Sequence, residues 1–303
     1  VNVSNADRVV FPEVGLTKGD LVGYYERVAP LMLPYVKDRP LTLERYPQGL
    51  GGDGFMQKNA AAHFPATIGR YQVDRAEGGV TTYPVITVEE NIPYLANQGT
   101  VSFHIWTGRL PEPHLADCMV IDLDPEPGDV EAARNVTRLA GALVEAFGLE
   151  SLPVATGSKG YHVWVPLVPT PWGGVATAGR ALAGIVAARN PEHATVEFLK
   201  KNRKGRVFVD WLRNHPGATV VAPLSVRARP KASISMPLDW SEVPTTDPDQ
   251  WTITDLDSGG RHRLEHLPGL PRPGVLPLEE IVAEAEAVGV DLHTPFDRFG
   301  RER

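Results

Sequence analysis

Two aspartates, Asp122 and Asp124, stand at the end of a nearly continuous apolar run, Asp117-Cys-Met-Val-Ile-Asp-Leu-Asp-Pro-Glu-Pro-Gly128. If the run is a strand, alternation puts Met119, Ile121 and Leu123 on one face and Cys118, Val120, Asp122 and Asp124 on the other. Carboxylates roughly 7 Å apart along a strand could converge on a pair of divalent ions about 4 Å apart, as in-line phosphoryl transfer requires. Pro125, Pro127 and Gly128 then end the strand and leave the pair at an open edge. A bare Asp-x-Asp is more often a pair of solvated strand-end aspartates or a cap on the next helix, so its meaning depends on its company.

That company begins one helix later with Thr156-Gly-Ser-Lys-Gly-Tyr-His162. Thr156 and Ser158 offer hydroxyls, Gly157 and Gly160 allow close backbone approach, and Lys159 and His162 offer donors to phosphate. The spacing is not that of a Walker A loop; alone, it reads as a plain turn before a strand. Lys200-Lys-Asn-Arg-Lys-Gly-Arg206 places five positive charges in seven residues. A solvated charge run is the ordinary explanation, but this one leads into an apolar strand, Val207-Phe-Val-Asp210, whose terminal aspartate could complete a metal site. Arg213 follows closely, and Arg227 and Arg229 share a face if Ser225 to Arg229 is extended, a geometry suited to clamping a triphosphate. His104 ends another short strand-like run, where a structural role is the common one.

The elements that must carry these residues can be read in order. Thr17-Lys-Gly-Asp20 has the form of a capping box, and Leu21, Tyr24, Tyr25, Val28, Leu31 and Met32 follow at helical spacing. A helix is expected from Lys18 to Leu33, with a kink or early stop at Pro30. Lys18 in its first turn, with Arg8 nearby, would suit a terminal phosphate at exposed amides, or be an ordinary solvated lysine. Arg39 to Gly49 reads as turn, strand and turn. Gly49 to Gly54 contains four glycines in six residues, so Phe55 leaves a mobile loop either as a base-stacking aromatic or as the first core residue of the next strand. Strands are expected at Thr81 to Ile86 and Thr100 to Ile105, around a helical turn near Ile92 to Gln98. Asp129 should cap a helix through Phe147 that Gly148 stops. A helix from Val175 to Ala188 should be interrupted at Gly179 and Gly184. Thr219 to Ala222 is a short strand, 231 to 277 an irregular wrap anchored by Trp240 and Trp251, Leu276 to Val290 a last helix, and His293 to Arg303 a mobile tail.

At 303 residues, with 42% apolar and 22% charged residues, the chain has the composition of a soluble globular protein with a sizeable core. No apolar run approaches the roughly 20 residues that span a bilayer, so no membrane partner is expected. A single cysteine, Cys118, excludes an internal disulfide framework and a Cys-rich zinc site, and fits a cytoplasmic setting. Val-Asn-Val-Ser at the start reads as a trimmed or processed end without a secretion signal. The net charge of −7 argues against a uniformly basic nucleic-acid binder; any phosphate affinity must come from local patches.

The order Asp122-Leu-Asp124, Ser158-Lys-Gly-Tyr-His162, Val207-Phe-Val-Asp210-Trp-Leu-Arg213 and Ser225-Val-Arg227-Ala-Arg229 resembles the polymerase domain of bacterial DNA ligase D, in the archaeo-eukaryotic primase superfamily. Asp7-Arg-Val-Val-Phe-Pro, Thr17-Lys-Gly-Asp20, Arg39-Pro-Leu-Thr, Thr81-Thr-Tyr-Pro84 and Asn97-Gln-Gly-Thr-Val-Ser-Phe-His104 extend the likeness over nearly the whole chain. The resemblance implies an α/β, archaeo-eukaryotic primase-type fold with an RRM-like antiparallel catalytic sheet merged with an N-terminal α/β part. It implies one primase-polymerase domain over 1–303: an N-terminal part with DNA-end contacts (1–115), a catalytic core (116–230), and a C-terminal wrap and helix (231–303).

Carried onto this sequence, the resemblance makes Asp122, Asp124 and Asp210 ligands of two Mn2+ or Mg2+ ions. It makes His104, Lys159, His162, Arg227 and Arg229 holders of the incoming NTP or dNTP, with Arg203 and Arg213 nearby and Thr156 or Ser158 facing the sugar. It makes Arg8 and Lys18 the grip on a 5′-phosphate, and Phe55 the template-stacking aromatic. Met56 replaces a second aromatic common in the family, and Ser102 replaces the usual acidic residue two positions before the histidine. The implied activity is gap filling and end extension in bacterial non-homologous end joining, favouring ribonucleotides, on gapped duplexes with a 5′-phosphate. Ku and a DNA ligase are the implied partners, and the nucleoid-associated cytoplasm the implied place. A primer-independent primase would use the same aspartates; a DNA-end-binding scaffold with secondary catalysis would not need them. No Lys-x-Asp-Gly adenylation motif is present, so the chain itself carries no ligase site.

Overall fold

Two units organise the chain in the computed structural model, which describes residues 2–257 and 261–293. One comprises the chain up to Pro113 with Thr219–Met236 and Asp249–Leu267; the other comprises His114–Ala218, Pro237–Pro248 and the chain from Pro268 on. The stretch expected as a single C-terminal wrap is thus shared between them.

In the first unit a short antiparallel pair, β1 (Val9–Phe11) and β2 (Leu16–Thr17), leads into α1 (Lys18–Val36). The capping box forms as expected: Asp20 N donates to Thr17 Oγ1 at 3.2 Å and Thr17 N donates to Asp20 Oδ2 at 2.7 Å. The helix does not stop at Pro30 but runs on through Pro34 to Val36. Both prolines lie on the exposed side, as do Glu26 and Pro30, whose carbonyls lose their amide partners and can bond to water. On the opposite side Met32, Tyr35 and Val36 are buried and hold the last turn down.

β3 (Leu41–Arg45), β4 (Phe55–Gln57), β5 (Ile68–Asp74), β6 (Val80–Ile86), α2 (Asn91–Asn97) and β7 (Thr100–Ile105) follow. β5 and β6 form an antiparallel pair. The four-stranded sheet has β4 at one edge, then β3 and β7, with the returning segment Val220–Val221 at the other edge. Buried tyrosines tie that segment to α1. Tyr24 Oη donates to Leu224 O at 2.7 Å, while Tyr25 Oη donates to Val101 O at 2.6 Å and accepts from Val226 N at 2.9 Å. Trp251 supports the same return: its carbonyl accepts from Ile234 N at 2.8 Å.

The second unit reads β8 (Leu115–Asp124), α3 (Val130–Ala146), β9 (Leu152–Ala155), β10 (Tyr161–Pro171), α4 (Trp172–Arg189), β11 (Ala194–Thr195), α5 (Lys200–Arg203) and β12 (Val207–Asp210). Within the unit the strands lie in the order β11-β12-β8-β10-β9, antiparallel except for β11 with β12. This is the β-α-β-β-α-β pattern of an RRM-like sheet. Met119, Ile121 and Leu123 enter the core with Val163, Val165, Val207, Val209 and the apolar sides of α3 and α4, so the expected face assignment of β8 holds. Asp129 caps α3 by accepting from Ala132 N at 3.2 Å, and Gly148 follows its end with φ +73°.

α4 runs unbroken through Gly179 and Gly184, contrary to expectation. These glycines serve close packing: a Cβ at 179 would lie 2.8 Å from Asn214 Nδ2, and one at 184 would lie 2.5 Å from Val290 Cγ1. Gly141 on α3 likewise leaves room for the Trp240 ring, 2.0 Å from where a Cβ would stand, and Trp240 Nε1 donates to Ser151 O at 3.0 Å. The last helix is Leu278–Ala287, shorter at both ends than expected, because Pro277 precedes it and Gly289, at φ +82°, turns the chain after it. The tail beyond His293 lies outside the described residues. Among the described residues no helix is long and apolar enough to cross a membrane.

Candidate active site

The register of β8 with its neighbours assembles the acidic cluster. Asp210 of β12 is the cross-strand partner of Asp122, and Phe208 that of Asp124; on the other side His162 of β10 faces Asp122. Directly paired residues share a face of a sheet, so Asp122, Asp124, Asp210 and His162 all project opposite the α3/α4 core. Asp122 and Asp210 are buried, with Asp124 half-buried at the strand edge.

Basic side chains surround them. Arg213 Nε lies 3.1 Å from Asp122 Oδ2 and 3.7 Å from Asp210 Oδ2. His162 Nε2 is 3.5 Å from Asp122 Oδ1, and Lys159 Nζ is 3.2 Å from Asp124 Oδ1. Burial pushes against ionisation of Asp122, but His162 and Arg213 outweigh it and hold the carboxyl well below the usual range. The other two carry the cost of proximity. Burial and then the Asp122 charge raise Asp124, and the same causes push Asp210 up to about 6.

Such a site fits a divalent cation. All three anionic donors are carboxylate oxygens, the ligands of hard ions such as Mg2+ and Mn2+. Two of them are driven toward protonation by burial and by the neighbouring carboxylate charge, both of which a bound cation would offset. His162 Nδ1, buried and without a hydrogen-bond partner among the described residues, marks further polar capacity on this face.

Arg213 owes its place to a neighbour that the sequence did not single out. Asn214 accepts from Val120 N at 2.8 Å and donates to Val120 O at 2.8 Å, mimicking a strand partner of β8. This clamp, seated in the space left by Gly179, fixes the short helix Leu212–Asn214 beside the aspartates. Asp210 itself accepts from Leu212 N at 2.8 Å.

The turn before β10 is similarly fixed. Gly157 N donates to Pro248 O at 2.8 Å and Tyr161 Oη to Thr246 O at 2.5 Å. Thr156 Oγ1 closes the turn by donating to Gly160 O at 2.8 Å; Ser158 is half-buried beside Lys159. A Cβ at Gly160 would stand 1.9 Å from Leu123 O, so the turn packs against the backbone between the two β8 aspartates. Arg203 lies on the same face of the sheet, its guanidinium 4.0 Å above the Phe208 ring. Two of its nitrogens are committed to the carbonyls of Glu197 (3.1 Å) and Phe198 (2.9 Å).

The remaining candidates belong to the first unit. His104 Nε2 lies 3.7 Å from Glu44 Oε2. Burial raises the Glu44 carboxyl, but His104, the Ser102 hydroxyl and the Arg227 charge together hold it below its ordinary value. Glu44, on neighbouring β3, therefore supplies the acidic neighbour of His104 that Ser102 cannot; no sequence motif marked it, although the serine at 102 was the signal to look across the sheet. The condition on which Arg227 and Arg229 would share a face, an extended Ser225 to Arg229, is not met. Arg229 N donates to Arg227 O at 2.7 Å, and Arg227 N to Ser233 O at 2.7 Å, because the segment folds back on itself in a bend.

Lys18 and Arg8 line a cavity of about 180 Å³ with Ser4, Asn5, Asn97 and Gln98. Lys18 Nζ donates to Ser4 O at 2.8 Å and Ser4 Oγ at 2.9 Å, and burial followed by the Arg8 charge lowers its pKa. Two cations sharing a small polar cavity suit an anion. Phe55 is 48% exposed on edge strand β4, with the Arg45 guanidinium 5.5 Å from its ring; it is not a core residue.

With this geometry in place, comparison with known proteins identifies the family. The sequence model of the LigD primase-polymerase domain matches residues 17–265. The chain belongs to this family of metal-dependent, nucleotidyltransferase-type enzymes, and its mixed α/β, archaeo-eukaryotic primase-like fold is the family's. It is 32% identical over 247 residues to the multifunctional non-homologous end joining protein LigD of Mycolicibacterium smegmatis, covering 80% of this chain and 32% of that protein. It is 34% identical over 254 residues to LigD of Mycobacterium tuberculosis (80% and 33%), and 30% identical over 247 residues to the bifunctional LigD of Bacillus subtilis (79% and 39%). The chain thus matches only about a third of the length of these relatives. Its fold is similar to the polymerase domain of M. tuberculosis ligase D in complex with DNA, with TM-score 0.79, 31% identity, and coverage of 88% of this chain and 99% of that one.

Proposed function

We propose that this chain is a template-directed polymerase that fills gaps and extends ends in bacterial double-strand break repair by non-homologous end joining, with a preference for ribonucleotides. The observation that carries this reading is the meeting of Asp122, Asp124 and Asp210 on one sheet face within a ring of basic side chains. Two Mn2+ or Mg2+ ions held by these aspartates would acidify a primer 3′-hydroxyl and bear the charge of the departing pyrophosphate. The protein's own groups do the rest. Lys159, His162 and Arg213 neutralise phosphate charge next to the aspartates, with Arg203 contributing from above Phe208. Ser158 faces the sugar and its 2′-hydroxyl, since the Thr156 hydroxyl is spent on closing its own turn.

His104, Arg227 and Arg229 hold the triphosphate, supported by their common association with Glu44 and its neighbours. The Lys18 and Arg8 cavity receives the 5′-phosphate of a gapped duplex, and Phe55 stacks on a template base. Both units serve one primase-polymerase domain over 1–303, since the family match runs through each. Ku and a DNA ligase are its partners in the nucleoid-bearing cytoplasm; the relatives' names support the end-joining setting, and the partners follow from the family resemblance.

The test is extension of a gapped, 5′-phosphorylated duplex with ribo- and deoxynucleotides side by side, in Mn2+ or Mg2+. Ribonucleotides should be incorporated preferentially, and Asp122→Ala and Asp210→Ala should abolish incorporation while circular dichroism remains that of the parent. Near-parental extension by either variant would overturn the assignment.

A further inference from the structure

A second group of side chains able to ligate a metal ion belongs to the first unit, whereas the three aspartates belong to the second. The helical turn Arg261–Glu265 carries His262 and Glu265, and His266 follows immediately. Positions i, i+3 and i+4 of a helix are neighbours on its surface, and here their ligand atoms all lie within 4.8 Å of one another. Nδ1 of His262 is 4.0 Å from Glu265 Oε2, and the two imidazole centroids are 3.9 Å apart.

One hydrogen bond turns this proximity into a usable donor set. His266 Nδ1 lies 2.8 Å from the His262 carbonyl oxygen. A carbonyl can only accept, so Nδ1 is the donor, and in the neutral ring Nε2 is the nitrogen left for a metal. Metal-ligating histidines characteristically donate their other ring N–H to a backbone carbonyl in this way, which fixes the tautomer and the ring orientation. Arg263, between the two histidines, packs its guanidinium 5.6 Å from the Trp251 ring and anchors the turn.

We infer that His262, Glu265 and His266 form a surface site for a borderline divalent transition ion, Zn2+, Ni2+ or Cu2+. Two imidazole nitrogens and one carboxylate select these ions over Mg2+ and Mn2+, which prefer oxygen. The three side chains are exposed, so small χ rotations can bring their ligand atoms to the roughly 2.1 Å bonds such an ion makes. Three protein ligands leave the remaining position to water or to an anionic oxygen. The site is independent of the proposed polymerase chemistry, whose donors are all carboxylates.

Calorimetric titration of the full chain with Zn2+, in excess Mg2+ to saturate the oxygen sites, tests this, together with electron paramagnetic resonance of added Cu2+. One Zn2+ per chain should bind, and the Cu2+ spectrum should show nitrogen coupling. His262→Ala/His266→Ala should lose that equivalent of Zn2+ and the nitrogen coupling. Glu265→Gln should weaken binding about tenfold. All these variants should keep the parental circular dichroism and Mg2+-dependent extension. Binding by the double variant with parental stoichiometry and affinity would refute the site, as would a parent that takes up no Zn2+ under excess Mg2+.

Discussion

Replacing Asp210 by asparagine removes the cost of burying a third carboxylate beside two others. The substitution keeps the shape of the side chain and the acceptor for Leu212 N, which lies 2.8 Å away, while removing the charge. The folded-state pKa of Asp210 is raised from 3.8 to about 6, so between roughly pH 4 and 6 the folded protein binds a proton that the unfolded chain has released. Stability must therefore fall as pH rises through that window. At about 1.4 kcal/mol per pH unit of displacement, the full loss is on the order of 3 kcal/mol, an upper value because relaxation of the neighbouring aspartates shares it. Metal-free urea unfolding from pH 4 to pH 7 should show the variant and the parent nearly equal at pH 4. The variant should become more stable by about 2–3 kcal/mol at pH 7. Millimolar Mn2+ should close the gap by stabilising the parent, since an ion that binds only the folded site adds RT ln(1 + [L]/Kd). A difference that does not change with pH, or a variant less stable than the parent at pH 7 in chelator, would refute the electrostatic reasoning.

Gly160→Ala should lower the melting temperature by an amount equivalent to about 1–3 kcal/mol and depress primer extension. The added methyl meets the Leu123 carbonyl and must displace the strand between Asp122 and Asp124; parental extension rates would argue against that coupling. Glu44→Gln should raise the KM for nucleotide about tenfold, the equivalent of about 1.4 kcal/mol, with little change in kcat, because His104 and Arg227 lose the carboxylate that orients them. Steady-state kinetics with an unchanged KM would show Glu44 to be merely structural.

What the sequence disclosed of this fold followed from local rules. The parity of Asp122 and Asp124, the Thr17 to Asp20 cap and the Gly148 stop each depend on residues within one turn or one strand, and each is found in place. What it concealed depended on distant partners. Gly179 and Gly184 resembled helix breakers because Asn214 and Val290, which need their space, lie far along the chain. Pro30 resembled a stop because nothing local says that its side of α1 faces water. Arg227 and Arg229 alternate as on a strand, yet the bend that holds them is closed through Ser233. Glu44, in mid-strand, looks like any solvated charge until β7 brings His104 beside it.

The pairing of Asp210 with Asp122 belongs to the concealed kind. No periodicity dictates that β12 lies next to β8; the crossover through α4 does, and the residues alone offered Asp210 only as a strand-end aspartate able to complete a metal site, which the resemblance of motif order then made specific. The same pairing explains why so much of the second unit's packing is devoted to so few groups. Bringing a third carboxylate against two others opposes folding, and the opposition is met by Arg213, which can act only because Asn214 is clamped to Val120 and Gly179 leaves the room for it. A glycine in the middle of a buried helix, costing about 1 kcal/mol relative to alanine, is thus part of the acidic site's construction. Its physical role is to let an arginine stand between two aspartates, and a carboxylate cluster held together in this way gives up stability to concentrate negative charge on one sheet face.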